Sequence, residues 1–164
     1  MDARHPILYL QKKDGVVPFS LALSSNSSKS RILIISGPNA GGKSVCLKAV
    51  GRIQYMLQCG MPVPLRPTSE CGMFGSIFID IGDQQSIDND LSTYTSHLQS
   101  MKALLAEAKE DTLFLLDELG GGTEPRSGCA IAEAVLEELY DKGSFGVVTT
   151  LFESHKFYFK LNEE

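Results

Sequence analysis

Apolar residues in this chain fall into short unbroken runs separated by longer stretches in which they recur at helical spacing. The runs are Arg31 to Ser36, with Ile32-Leu33-Ile34-Ile35 at its heart, Phe74 to Ile81, Thr112 to Leu116, and Phe145 to Thr150. Strand-sized runs without strict alternation predict strands buried on both faces. Between them, three sets recur on one helical face: Leu47, Val50, Ile53 and Leu57; Leu98, Met101, Leu104 and Leu105; and Ile131, Val135, Leu136 and Leu139. Each set predicts an amphipathic helix, and Ser127 reads as the cap of the last one. Strands alternating with helices predict an α/β fold, a mainly parallel central sheet flanked by helices. Ahead of the first run, Ile7 to Leu23 alternates loosely around Asp14-Gly15 and predicts a small N-terminal antiparallel β region with a hairpin. Ser24 to Ser30 is a polar loop. Gly60 to Gly75 is rich in Gly and Pro and predicts irregular chain with a short edge segment at Met61 to Pro64. Gly82 to Asp90 is a polar connection.

Composition narrows this without changing it. The chain has 164 residues, of which 43% are hydrophobic, enough for one globular domain over residues 1–164 with a core of its own. No apolar run is long enough for a membrane span and no signal-peptide pattern opens the chain, so a cytoplasmic protein with no membrane partner is expected. Cys46, Cys59, Cys71 and Cys129 show no C-x-x-C spacing and read as reduced thiols. The scattered histidines argue against a structural zinc site. The net charge of −5, without a Lys/Arg stripe, argues against a DNA backbone being gripped by this chain itself.

The chemistry concentrates in two places. Gly37-Pro38-Asn39-Ala40-Gly41-Gly42-Lys43-Ser44 fits G-x-x-x-x-G-K-[ST], directly after the first strand run and before the first helix. Glycines 37, 41 and 42 permit a tight turn that aims successive N–H groups inward at a helix amino terminus, which makes an anion site. Lys43 would reach the β and γ phosphates of a nucleoside triphosphate, and the Ser44 hydroxyl would ligate Mg²⁺. The bland alternative is a glycine-rich turn with a chance lysine. The run Thr112 to Leu116 ends in Asp117 and Glu118, placed by a central parallel strand at its carboxyl end. Asp117 would hold Mg²⁺ and Glu118 would polarise a water, a pair suited to hydrolysis; the bland alternative is a solvated acidic turn.

Taken with Ala3-Arg4-His5-Pro6, the stretch from Asp80 to Leu98 (DIGDQQSIDNDLSTYTSHL), Leu115 to Pro125 (LLDELGGGTEP) and Val147 to Thr150, these motifs resemble the ATPase domain of the MutS family over nearly the whole chain. The wording is similar to the type-two branch, associated with recombination control and, in some members, with ribosome rescue. The resemblance implies a P-loop NTPase of the ABC type, with ATP and Mg²⁺ as cofactors. It implies that Phe19 stacks on adenine, although by composition alone Phe19 is as often plain core. It implies that Ser92 and Thr93 reach across a dimer to the γ-phosphate held by a second copy of the same domain. Ser92 would open a helix, and an ordinary N-cap is compatible with that role. Gly120 to Pro125 would contact the opposite subunit or form a flexible glycine turn, and Gln84 and Gln85 would sit near Mg²⁺ or in a solvated loop.

Two departures from the family stand out. Family members continue after the last strand with a histidine that senses the γ-phosphate, where this chain has Leu151, and His155 lies further on. Family members are also much larger, so the chain is expected to be a piece of, or truncated relative to, a longer protein. The expected function is a weak ATPase module that couples nucleotide state to closure of a dimer on DNA, the DNA being held by other regions of the parent protein. Alternatives are a nucleotide-binding interaction module without turnover, the ATPase of a ribosome-rescue factor, and a small-molecule P-loop kinase. The kinase reading is disfavoured by the lack of an arginine-rich lid.

Overall fold

All four apolar runs form strands, and every pairing between them is parallel. The computed structural model describes residues 2–12, 15–24, 31–37, 41–82 and 90–151, with residues 90–94 described as helical backbone alone. In chain order the elements are α1 (Pro6–Gln11), β1 (Ile32–Ser36), α2 (Lys43–Gln58), β2 (Ser76–Asp80), α3 (Asp90–Glu107), β3 (Thr112–Leu116), α4 (Pro125–Asp141) and β4 (Phe145–Thr150). The strands lie side by side in the order β1-β4-β3-β2. The chain thus crosses from β1 to the far edge, then steps back through β3 to β4, which inserts beside β1. Parallel crossovers are right-handed almost without exception, so reversing the direction of travel moves the connecting helix to the other face. This is why α2 covers one face of the sheet while α3 and α4 cover the other.

Alternate strand residues feed the two cores. Phe114, Leu116 and Val148 meet Met101, Leu104, Val135, Leu136 and Leu139 in the layer of α3 and α4. Leu113, Leu115 and Val147 pack with Leu47 of α2, with Leu33, Ile35 and Val50 at the margin. Because both faces are covered, the strands need apolar residues at every position, which is what the unbroken runs encode. Strand β2 is shorter than its run. The ring of Phe74 packs edge-on against Phe145, centroids 5.5 Å apart, and ladder pairing with β3 begins only at Ser76. No strand forms at Met61 to Pro64; instead the Pro64 carbonyl accepts the Arg4 N–H at 3.2 Å.

The expected N-terminal β region is corrected by the structure. Pro6 to Gln11 is helical because Pro6 occupies the first turn, with φ preset, and the Nδ1 of His5 accepts the Leu8 N–H at 3.3 Å. A local cap and a proline outweighed a weak alternating pattern. His5 also meets Arg52 of α2, Nε2 to Nη1 2.6 Å, and burial followed by that guanidinium holds its imidazole below the usual histidine range. Among the described residues outside the main sheet, the antiparallel element is a bridge between Ala3 and Phe19, with two bonds of 2.9 Å. Asp14 of the expected turn and Ser25 to Ser30 of the polar loop lie outside the described residues. The cap of α4 is also corrected: it is Glu124, whose carboxylate accepts the Ser127 N–H at 2.9 Å. Pro125 needs no acceptor at the first helical position, so the helix starts earlier than Ser127.

One glycine inside a strand is explained by the strand beside it. Gly146 pairs with Phe114, and a Cβ at Gly146 would stand 2.1 Å from the Phe114 ring. The ring lies where that side chain would go. Gly146→Ala is therefore expected to cost about 1–3 kcal/mol, the scale of overpacking a filled core. The loss should be read as a lower urea midpoint, and Phe114→Leu in the same chain should recover part of it. An unchanged midpoint in Gly146→Ala would show that the ring moves freely aside.

Candidate functional site

The carboxyl ends of the parallel strands share one edge, and the polar groups singled out in the sequence gather there. Strand β1 ends at Ser36 and turns through Gly37, whose φ of 140° is open only to glycine. Residues 38–40 lie outside the described residues. The chain re-enters at Gly41 and Gly42, and Gly42, with φ 77°, caps α2 without a side-chain bond. The amino terminus of α2, with the positive end of its helix dipole, thus lies at this edge. Lys43 is only 5% exposed, and its ammonium donates to the Gly37 carbonyl, closing the loop on itself. Ser44, the next residue, is partly buried. Cys46 follows, but burial raises its thiol above the usual range, so it is no ready thiolate.

The two acids emerge from β3 on the same edge. Strand β4 stands between β1 and β3, its Thr150 paired with Ser36 and its Val148 with Leu116. Thr149, fully buried, projects from it to both acids: its hydroxyl donates to the Asp117 carboxylate at 2.5 Å and accepts the Glu118 N–H at 2.8 Å. The Thr149 carbonyl takes the Leu119 N–H at 2.9 Å. These bonds hold Glu118 at φ 51°, the left-handed region, which costs a non-glycine residue about 1–2 kcal/mol. Such strain is found where a side chain must be aimed. A Cβ at Gly128 would lie 2.1 Å from the Gly120 carbonyl oxygen, so α4 packs closely against the turn that follows Glu118.

Lys43, Ser44, Asp117 and Glu118 therefore lie at the same carboxyl edge of the sheet, with β4 between the strands that lead to them. An ammonium, a helix amino terminus, a hydroxyl and a carboxylate are groups that suit a polyanion accompanied by a hard divalent cation. Phe19 is elsewhere. It lines a groove with Leu21, Val50, Ile53, Leu113 and Phe145, towards the amino ends of the strands, and Lys43 is not among the walls. Ser92 and Thr93 lie in the first turns of α3, which starts at Asp90, so Ser92 does not open the helix. Gln84 and Gln85 lie outside the described residues, as does His155. Leu151 directly follows β4, half-exposed at 51%. Pairing of β4 with β1 runs through Thr150, so the chain keeps to the sheet as far as the departure from the family pattern.

The sequence reading missed three residues at this edge. Thr149 is one; a threonine closing a buried strand, next to a strand ending in acids, was the available signal. The others are Asp80, the last residue of β2, and His97 of α3, whose Nδ1 lies 3.0 Å from the Asp80 carboxylate. Both lie in the Asp80 to Leu98 stretch, where no role was read for either.

Comparison with known proteins agrees with the family wording of the sequence. Residues 33–163 match the family described as MutS domain V. The chain is 45% identical over 150 residues to Endonuclease MutS2 of Gemmatimonas aurantiaca, covering 92% of this chain and 18% of that protein. It is 49% identical over 148 residues to Endonuclease MutS2 of Carboxydothermus hydrogenoformans, covering 90% and 18%. With the protein of that description from Aquifex aeolicus it shares 43% over 157 residues, covering 96% and 20%. The chain spans about a fifth of the length of these relatives. Among the described residues, no helix is long and apolar enough to cross a membrane.

Thr149→Val keeps the shape of the side chain but removes both hydroxyl bonds, leaving the Asp117 oxygen and the Glu118 N–H without that partner. The expected loss is about 1–3 kcal/mol of unfolding free energy, with Thr149→Ser near wild type. Chemical denaturation of the two variants measures it. Equal stability of the Val variant and wild type would mean that solvent replaces both bonds.

Proposed function

The chain belongs to the MutS family, and on that premise we propose that it is the ATP-binding and ATP-hydrolysing domain of a MutS-like DNA repair and recombination protein. The observation that supports this reading is that Lys43 and the Asp117–Glu118 pair follow strands ending at the same sheet edge, with Thr149 bonded to both acids from the strand between. In this proposal Gly37 to Ser44 wrap the triphosphate with backbone N–H groups, and Lys43 exchanges the Gly37 carbonyl for the β and γ phosphates. Ser44 and Asp117 hold Mg²⁺, which when bound neutralises charge developing on the phosphates. Glu118, aimed by its left-handed backbone, polarises the attacking water. Phe19 is the proposed adenine contact, which requires the segment before β1 to close over the loop. The fold is then read as a P-loop NTPase of the ABC type.

Ser92 and Thr93 act in a second copy. Their place in the first turns of α3 supports a role at a phosphate held by the partner, two copies enclosing two nucleotides. ATP would favour closure through contacts to the γ-phosphate that ADP lacks. The net charge of −5 supports assigning DNA contact, and the nuclease activity in the relatives' printed name, to regions outside this segment. A second reading, nucleotide binding with little turnover, is favoured by Leu151. An apolar side chain stands directly beyond the Thr150–Ser36 pair, where no hydrogen bond to a γ-phosphate can be made.

Lys43→Ala is expected to abolish tight ATP binding without loss of fold, and Glu118→Gln to preserve Mg·ATP binding while slowing phosphate release by about a hundredfold or more. Calorimetric titration and steady-state phosphate release measure the two. Unchanged affinity in Lys43→Ala sinks the proposal, and a wild type without turnover favours the second reading.

The activity should also depend on an encounter between copies. Specific ATPase activity is expected to rise with protein concentration, and Ser92→Ala to flatten that rise. Concentration-independent turnover that is insensitive to Ser92→Ala would place the whole active site within one chain.

A further inference from the structure

The acids at the end of β3 are tied to α3 as well as to β4. Asp80 closes β2, paired with Leu116, the residue before Asp117. Its carbonyl accepts the Asp117 N–H at 2.9 Å, and its carboxylate meets Nδ1 of His97 at 3.0 Å. Both side chains are largely shielded, at 17% and 18% exposed. The His97 ring is seated beyond the strand against Gly82, where a Cβ would stand 3.6 Å from Cε1. Asp80, His97, Asp117 and Glu118 line one cavity of about 20 Å³. That is room for a water-sized group rather than for part of a substrate, so the ring acts through its neighbours. His97 stands about one helical turn beyond Thr93 on the same rigid helix.

We propose that His97 is a positioning residue, which through its bond to Asp80 ties the amino-terminal turns of α3 to Asp117 and Glu118. Engagement of Ser92 and Thr93 shifts α3, the shift reaches Asp80 through the imidazole, and Asp80 passes it through its carbonyl to the backbone of Asp117. The composite site thereby signals to the acids of its own chain whether a partner is present. This inference rests on the ATPase reading for what it regulates, while the link itself rests on the His97–Asp80 and Asp80–Asp117 bonds. Among the described residues, the titratable groups facing His97 are Asp80 from β2 and Asp117 and Glu118 at the end of β3. From α4 the cavity receives Gly128 and Ile131, which carry no charge.

Two measurements on the full 164-residue chain test it. In an NMR pH titration without nucleotide, the amide shifts of Asp117 and Glu118 should share the titration midpoint of the His97 ring. They should stop titrating with it in His97→Asn and lose most of the amplitude in Asp80→Asn. Amides that ignore the ring, or follow it equally in Asp80→Asn, overturn the link. In steady-state hydrolysis, His97→Leu should lower kcat and raise the Mg²⁺ needed for half-activation, each by about tenfold, the scale of a lost partner behind a metal ligand. The KM for ATP should move less than about twofold, and His97→Asn, which can keep a bond to Asp80, should recover most of the loss. A folded His97→Leu with unchanged kcat and Mg²⁺ requirement overturns the proposal. A wild type that does not hydrolyse ATP overturns the ATPase reading instead, and the titration then decides the link alone.

Discussion

The insertion of β4 between β1 and β3 is the constraint on which the site depends. In a parallel sheet all carboxyl ends share one edge, but neighbours along that edge are fixed by strand order, not by chain order. Because the chain runs to the far edge and returns, the strand that precedes the glycine loop and the strand that ends in acids are held one strand apart. The strand between them contributes Thr149, whose hydroxyl meets the Asp117 carboxylate and the Glu118 N–H at 2.5 and 2.8 Å. Without this order the two motifs would be separate features of separate turns.

The same insertion is what makes the core so exacting. Strands β3 and β4 are covered on both faces, and Phe114 fills the space that Gly146 leaves open in the neighbouring strand. The close packing continues to the edge, where Gly128 rides on the Gly120 carbonyl and the turn after Glu118 is pinned. A left-handed glutamate persists only where its surroundings over-determine it, and here a buried threonine, a strand and a helix do so together. Rigidity at the acids contrasts with the loop at the other side of β4, where Lys43 rests on a backbone carbonyl that an anion can displace. The two halves of the edge are thus built differently, one tied by a buried threonine and the other by a lysine–carbonyl bond.

The type-two wording of the sequence, the match to MutS domain V and the parallel α/β sheet agree with one another. Family likeness, however, is not uniform along the edge. The sequence departs from the resemblance at Leu151, which directly follows β4, itself paired with β1 through Thr150.

By itself the sequence determined the four strands, three of the helices and the residues of both motifs. Each of these is written in short-range terms: period, glycine spacing, or acids closing an apolar run. It failed at Pro6 to Gln11, where a proline and a histidine cap outweighed a weak alternation, and at Ser127, where Glu124 reached the helix start first. Only the tertiary structure decided that Phe19 lines a groove apart from Lys43, that Thr149 bonds both acids, and that His97 meets Asp80. Those pairings join residues distant in the chain and lying on different elements. Local periodicity says which face of an element is buried, but strand order and helix placement say what that face meets.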